Sequence, residues 1–319
     1  MTYDFIAIGD TVVDDFIRIK DAKVTCDINE ENCTISLRFG DKVPFESSTV
    51  VYGVGNAANA AVSAARLGLK TAFVSNVGAD EHGEKIIETL GAEGIDTSYI
   101  AKDPNTPTNY HYVLWYETER TILVKQNAYA YKFPKDLPPP KTIYFSSINK
   151  DATEYREDVI EYLEKNPSIF FAFQPGVFEI KSGAQAFARF YTRANFVICN
   201  KEEAARILGK RGTEEELVRG MQALGPKIAI VTDGVKGVYG ADGEKFFHVP
   251  MFPDPKPPLQ RTGAGDALAS TTAAYLTMGY SLEDALKRGT VNSAYVVQGI
   301  GAQVGLLKKD KLEEILKNS

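Results

Sequence analysis

Short, almost uninterrupted apolar runs separated by helix-length amphipathic stretches restrict this 319-residue chain more than any other feature. Lys227-Ile-Ala-Ile-Val-Thr232 shows the type. A strand that is apolar on both sides needs cover on both faces, which is the situation of a parallel sheet between helices. Runs of this kind predict strands at Tyr3–Gly9, Lys70–Asn76, Thr142–Ser147, Ile169–Gln174, Asn195–Asn200 and Lys227–Thr232. Helical patterns fall between them, near 55–67, 81–92, 152–164, 183–193 and 201–208. The alternation predicts an α/β fold with a mostly parallel central sheet and helices on both faces.

Two stretches depart from that rhythm. Residues 18–50 are polar and strand-like, with Cys33, Ile35, Leu37 and Phe39 alternating against Thr34, Ser36 and Arg38. Residues 108–126 hold a second such patch, rich in aromatics (Tyr110, Tyr112, Trp115, Tyr116), with a turn expected around Glu117–Arg120. A period of two means a sheet with one covered face. The two patches are read as strands of one small β-sheet lid over the open end of the main sheet, with ordinary surface hairpins as the alternative. The Pro-rich run Phe252–Pro258 reads as a stiff loop rather than a linker, so residues 1–319 are expected to form a single domain.

Apolar residues make up 44% of the chain, enough for a sizeable core. The net charge of −6 argues against nucleic acid as a partner, since phosphate backbones require a basic face. No run approaches the length of a membrane span. Cys26, Cys33 and Cys199 show no metal-ligand spacing, and so sparse an odd count reads as a reducing, cytoplasmic setting rather than a disulfide framework.

Arg261-Thr-Gly-Ala-Gly-Asp-Ala-Leu268 carries the clearest chemistry. Two glycines around an alanine let backbone approach a ligand, and a helix follows from about Gly265. A glycine-rich turn at a helix start offers free N–H groups and the positive end of the helix dipole, which together bind anions. Asp266 beside it is placed to accept a hydroxyl proton while those amides stabilise charge on a moving phosphoryl group. A helix-capping turn with a first-turn carboxylate is the plainer reading of the same residues.

Four further segments occur in order with that motif: Val54-Gly-Asn-Ala-Ala-Asn59 before an alanine-rich helix ending at Gly68, Ser75-Asn-Val-Gly-Ala-Asp80 with Gly83, Asn200-Lys-Glu-Glu203, and Thr232-Asp-Gly-Val-Lys-Gly237. Together they resemble the PfkB, or ribokinase-like, carbohydrate kinase family over almost the whole chain. The resemblance implies an ATP-dependent kinase acting on a hydroxymethyl group of a small sugar. It makes Asp266 the general base and the amides of Gly263, Ala264 and Gly265 the anion hole. Asp14, Gly55 and Asn59 would face the substrate, with Asp10 and Asp15 left open beside Asp14. Asn200, Thr232, Gly234, Gly237, Thr262 and Asn292 would lie near the nucleotide, and Glu203 with Asn200 would help hold Mg²⁺ through water.

Three positions depart from the family pattern. Gln260 replaces an Asp that many relatives keep at a monovalent-cation site, which puts K⁺ activation in doubt and leaves the role of Arg261 unassigned. Val54 replaces the first glycine of a Gly-Gly pair. Phe173-Gln-Pro-Gly176 stands where relatives often carry Asp-x-Asn. A neutral sugar is favoured over a nucleoside, and a catalytically weak sugar-binding member is the alternative from another class. A phosphosugar would need basic residues, for which Arg38, Lys42 and Arg120 are candidates. The lid also suits a homodimer.

Overall fold

The computed structural model describes residues 2–27, 33–117 and 119–319. Its centre is a nine-stranded sheet. From one edge it runs Lys245–Val249, Val238–Asp242, Ile228–Thr232, Phe196–Asn200, Phe170–Gln174, Thr142–Ser146, Phe5–Ile8, Thr71–Gly78 and Ile100–Asp103. The strands from Ile228–Thr232 to Ile100–Asp103 pair in parallel, and the two at the other edge are antiparallel. All six predicted strands are present within two residues of their expected ends. The antiparallel edge and the helix Glu214–Ala223 were not anticipated.

Alternation along the central strands divides the core in two, as the pleat requires. Phe5 and Ala7 pack with the helices Asn56–Arg66 and Ala264–Thr277 on one face. Ile6 and Ile8 pack with Tyr155, Val159 and Leu163 of the helix Thr153–Lys165 on the other. Asn56–Arg66 is almost all alanine where it is buried, and small side chains allow it to lie between the sheet and Ala264–Thr277.

A separate four-stranded sheet covers the carboxyl ends of the parallel strands. Its order is Phe45–Val54, Val12–Ile19, Tyr110–Tyr116, Glu119–Leu123. The middle pair is parallel and the outer pairs antiparallel. Its first strand starts at Val12, ahead of the expected 18–50 stretch, so Asp14 lies in the sheet and not in a loop below it. The alternating residues after Cys33 are not part of it. Lys23–Thr25 and Thr34–Ser36 form their own exposed ribbon, where period two reflects pairing alone and no covered face. Cys26 and Cys33 are joined by a disulfide across this ribbon, against the reading of the cysteines as unpaired. The expected turn at 117–120 begins at Glu117, whose φ is 53°, while Thr118 lies outside the described residues. Among the described residues no helix is long and apolar enough to cross a membrane.

Candidate active site

Between the two sheets lies a cavity of about 840 Å³. Asp266 sits on its floor in the first turn of Ala264–Thr277. The chain enters that helix through Gly263 at φ 82°, where a Cβ would come within 2.6 Å of Ala302 Cα, so only glycine fits. The Asp266 carboxylate is held at both oxygens. Asn59 Nδ2 donates to Oδ2 at 2.8 Å, and Gln174 Nε2 donates to Oδ1 at 3.1 Å. Each amide is itself oriented by another donor: Gln303 Nε2 to Asn59 Oδ1 at 3.0 Å, and Tyr144 Oη to Gln174 Oε1 at 2.6 Å. Burial pushes the Asp266 carboxyl above its ordinary value, and the two amides and the charge of Arg120 pull it partly back.

Opposite Asp266, the four-stranded sheet presents Asp14 beside its cross-strand neighbour His111. His111 Nδ1 is 3.4 Å from Asp14 Oδ1. Asp14 Oδ1 and His111 Nε2 are both shut off from water with no hydrogen-bond partner, which leaves them available to a ligand. Asp10 also reaches the cavity, but Gln126, Tyr131 and the Asn149 N–H already occupy its oxygens, and burial raises its carboxyl to about 6. Asp15 points away, to Ser48 and Tyr110. Of the three carboxylates, Asp14 is thus the one that lines the cavity with an oxygen left unpaired. Gly55 lines the same wall at φ 115°, its missing Cβ making room for the Asp10 carbonyl.

At the other end, Asn200, Glu203, Thr232, Thr262, Gly263 and Gly265 line the cavity. Asn200 Oδ1 accepts from Glu203 N, and Glu203 Oε2 accepts from Asn200 N, a reciprocal cap on the helix Lys201–Leu208. Gly234 and Gly237 shape the turn after Ile228–Thr232 without lining the cavity. Asn292 is the clearest departure from expectation. It is fully buried between helices, donating to Thr271 Oγ1 and accepting from Leu307 N, and does not reach the cavity. Tyr110, Tyr112 and Trp115 do not line it either. Trp115 donates to the Glu117 carbonyl, and its ring lies under Arg18. Arg38 is exposed and paired with Asp41, away from the cavity that Arg120 enters.

His111, Gln174 and Gln303 escaped the sequence reading. Gln174 had a signal, since it lies in Phe173–Gly176, the stretch that stands where relatives often carry Asp-x-Asn; Gln303, far along the chain, had none.

The pfkB family carbohydrate kinase model matches residues 18–309. Over 82% of this chain and 87% of the other, the sequence is 26% identical to a ribokinase of Bacillus subtilis. It is 23% identical to an ATP-dependent 6-phosphofructokinase of Thermoanaerobacterium thermosaccharolyticum, covering 98% and 94%. The fold superposes on that of Arabidopsis thaliana ribokinase complexed with ribose and ATP over all of both chains, with a TM-score of 0.80 at 20% identity. A family model spanning most of the chain, on a fold shared with ribokinases, makes this protein a member of the pfkB family of carbohydrate kinases.

Proposed function

We propose that this kinase transfers the γ-phosphoryl group of ATP to a hydroxymethyl group of a small sugar, with Asp266 as general base. The observation that carries the reading is a carboxylate fixed by two oriented amides at a glycine-entered helix start, in one cavity with an unspent Asp14–His111 pair. The acceptor oxygen forms a bond to the γ-phosphorus as the bond to the β–γ bridging oxygen breaks. The hydroxyl proton passes to Asp266, and ADP leaves. Gly263, Ala264 and Gly265 supply N–H groups and the helix dipole to the phosphoryl oxygens. Asp14 and His111 hold sugar hydroxyls, so that the reacting one is presented to Asp266. Asn59 serves the base directly, and its part in acceptor binding is through that bond.

Thr232 and Thr262 lie where nucleotide phosphates would pass. The donor set suits Mg²⁺, which keeps several waters and binds mainly to substrate phosphates. Glu203 Oε1 has no protein donor among the described residues, and burial raises the Glu203 carboxyl, a cost that a nearby cation offsets. Mg²⁺ would neutralise charge on the nucleotide, with Glu203 and Asn200 ordering its waters.

ADP release from MgATP over a panel of neutral sugars, phosphosugars and nucleosides tests the reading. Acceptor-dependent turnover supports it. Tight sugar binding with no turnover at adequate MgATP would replace it with a binding protein.

A pH prediction follows from Asp266. Because the base must be ionised, kcat/KM rises with pH through its pKa, so the acid limb lies above the usual carboxylate range. Gln174→Leu removes a bond that favours the charged form and moves that limb to higher pH. An unmoved limb in the pH–rate profile would show that Gln174 does not act on the base.

Gln260 supports a second prediction. Its Nε2 donates to the Gly299 and Gly301 carbonyls at 2.9 and 3.1 Å, and its Oε1 accepts from Thr262 N at 2.6 Å. Carbonyls that a monovalent cation would seek are already spent on an amide. Turnover is therefore expected to be the same in K⁺ and in a bulky organic cation; a rise on adding K⁺ contradicts this.

A homodimer through the four-stranded sheet is proposed as well. Val50, Tyr112 and Leu123 are exposed on its outer side, where a second copy would bury them. Sedimentation at micromolar concentration is expected to show a dimer, and a monomer alone would refute it.

A further inference from the structure

The lysines and arginines that line the cavity are not paired with the carboxylates that line it. Asp10, Asp14, Glu203 and Asp266 line it, together with Arg120, Lys150, Lys181 and Arg261. Arg261 pairs with Asp254 at 3.2 Å. The other three cations form no ion pair with any described residue, although the chain as a whole is acidic. Of the carboxylates, Asp10 is held by three donors, Glu203 by a backbone N–H and Asp266 by two amides, while Asp14 lies beside His111 with Oδ1 unpaired.

Arg120 is the informative one. It faces Trp115 across the ladder, as Asp14 faces His111, and alternation along the strands puts all four on the inner side of the four-stranded sheet. Its Nε is closed off from water with no partner, and its charge acts on Asp266. Arg120 is only partly buried, but a closed-off Nε with no partner is costly, and an anion arriving with the ligand would offset that cost. Lys150 and Lys181 are exposed and reach the cavity from its open edge. Lys150 follows Asn149, whose N–H holds Asp10, and Lys181 lies in the helix Val177–Ala186 that begins just after Gln174. The segment of Lys150 bounds the acceptor side through Asp10, whereas the helix of Lys181 packs against Lys201–Leu208 on the nucleotide side. The nucleotide side is built from Asn200, Thr232, Thr262 and the amides of the Gly263 turn.

We propose that the acceptor carries an anionic group, a phosphate ester or a carboxylate, taken up by Arg120 with Lys150 at the edge of the cavity. A guanidinium fork matches either group with two parallel hydrogen bonds, and lysines add charge at less fixed geometry. The inference rests on the kinase reading and narrows its substrate class away from a neutral sugar.

The test compares matched acceptors with MgATP: a neutral hexose or pentose, its phosphate ester, and the corresponding sugar acid. The anionic member is expected to have the higher kcat/KM, and the phosphate and acid arms identify which group is read. In Arg120→Gln, kcat/KM for that acceptor falls by about 10–100-fold, the size of one lost charged hydrogen bond. The loss is expected in the acceptor KM, while the KM for MgATP stays at its wild-type value. Arg120→Lys recovers part of the loss. A preference for the neutral member overturns the proposal. So does an Arg120→Gln enzyme whose kcat falls equally with neutral acceptors, which would place the guanidinium on the transferring phosphoryl group. If no acceptor turns over, the kinase reading fails, and calorimetric titration of the same matched set still decides the charge preference.

Discussion

Asp266→Asn is expected to lower kcat by about two to four orders of magnitude, the usual contribution of a positioned general base. The substitution keeps the shape of the side chain and removes its basicity. It also places an amide against two donors, since Asn59 Nδ2 and Gln174 Nε2 both point at this group. One of them must then turn or lose its bond, and both are held by Gln303 and Tyr144. A loss of about 1 kcal/mol in stability is therefore expected beside the kinetic effect. The KM for MgATP should change little, because the anion-binding groups are backbone amides that the substitution leaves in place. Steady-state ADP release and thermal unfolding, run on the same preparation, separate the two effects. A variant that retains most of its kcat with the preferred acceptor would remove Asp266 from the role of base.

The largest structural effect is expected at Arg156. This residue is buried, with its guanidinium donating to the carbonyls of Ile148, Asn149 and Lys150 and lying 4.6 Å over the Phe178 ring. Its only carboxylate neighbour within ion-pair distance among the described residues is Glu179, 3.6 Å away and fully buried. Burial lowers the Arg156 pKa and raises that of Glu179, so each tolerates its site through the other. Arg156→Leu leaves three carbonyls and the Oε1 of Glu179 unanswered, while the Gly176 N–H still holds Oε2, and a loss of about 3–5 kcal/mol is expected, the usual result of breaking a buried pair from one side. Replacing both partners, as Arg156→Leu with Glu179→Leu, should recover most of it on the carboxylate's account and leave the carbonyls as the residual cost. Denaturant or thermal midpoints of the single and double variants measure this directly. A single variant as stable as the parent would show that the pair contributes nothing net. The segment held by Arg156 includes Asn149, whose N–H donates to Asp10, so acceptor binding is expected to weaken in step with stability.

What was legible in the sequence shares one physical basis. The strand Ile228–Thr232 is apolar on both faces, the helix Ala264–Thr277 opens with Gly-Ala-Gly-Asp, and the helix Lys201–Leu208 opens with its reciprocal Asn200 and Glu203 cap. Each of these signals is complete within a few consecutive residues, because periodicity, capping and turn conformation are local. The ribbon after Cys33 shows the limit of that logic. Its alternation is real, yet pairing in a two-stranded ribbon produces the same pattern as burial, and only the surroundings tell them apart.

The candidate site was legible only in its single-segment parts. Asp266, Asn59, Asp14 and the Gly263 turn belong to motifs that can be recognised one at a time. Tertiary structure alone decided that Asn59 and Gln174 clamp Asp266 from helix and strand, that Gln303 reaches back over 244 positions to orient Asn59, and that His111 stands beside Asp14. It also withdrew Asn292 into the core and sent Asp10 and Asp15 to partners of their own. A side chain's role depends on which donors and charges meet it in space, and those partners arrive from distant segments whose approach no local pattern encodes. The sequence by itself determined the layered α/β fold and the turn that carries Asp266. The meeting of two sheets over the carboxyl ends of the strands decided which polar groups were left free to bind a ligand.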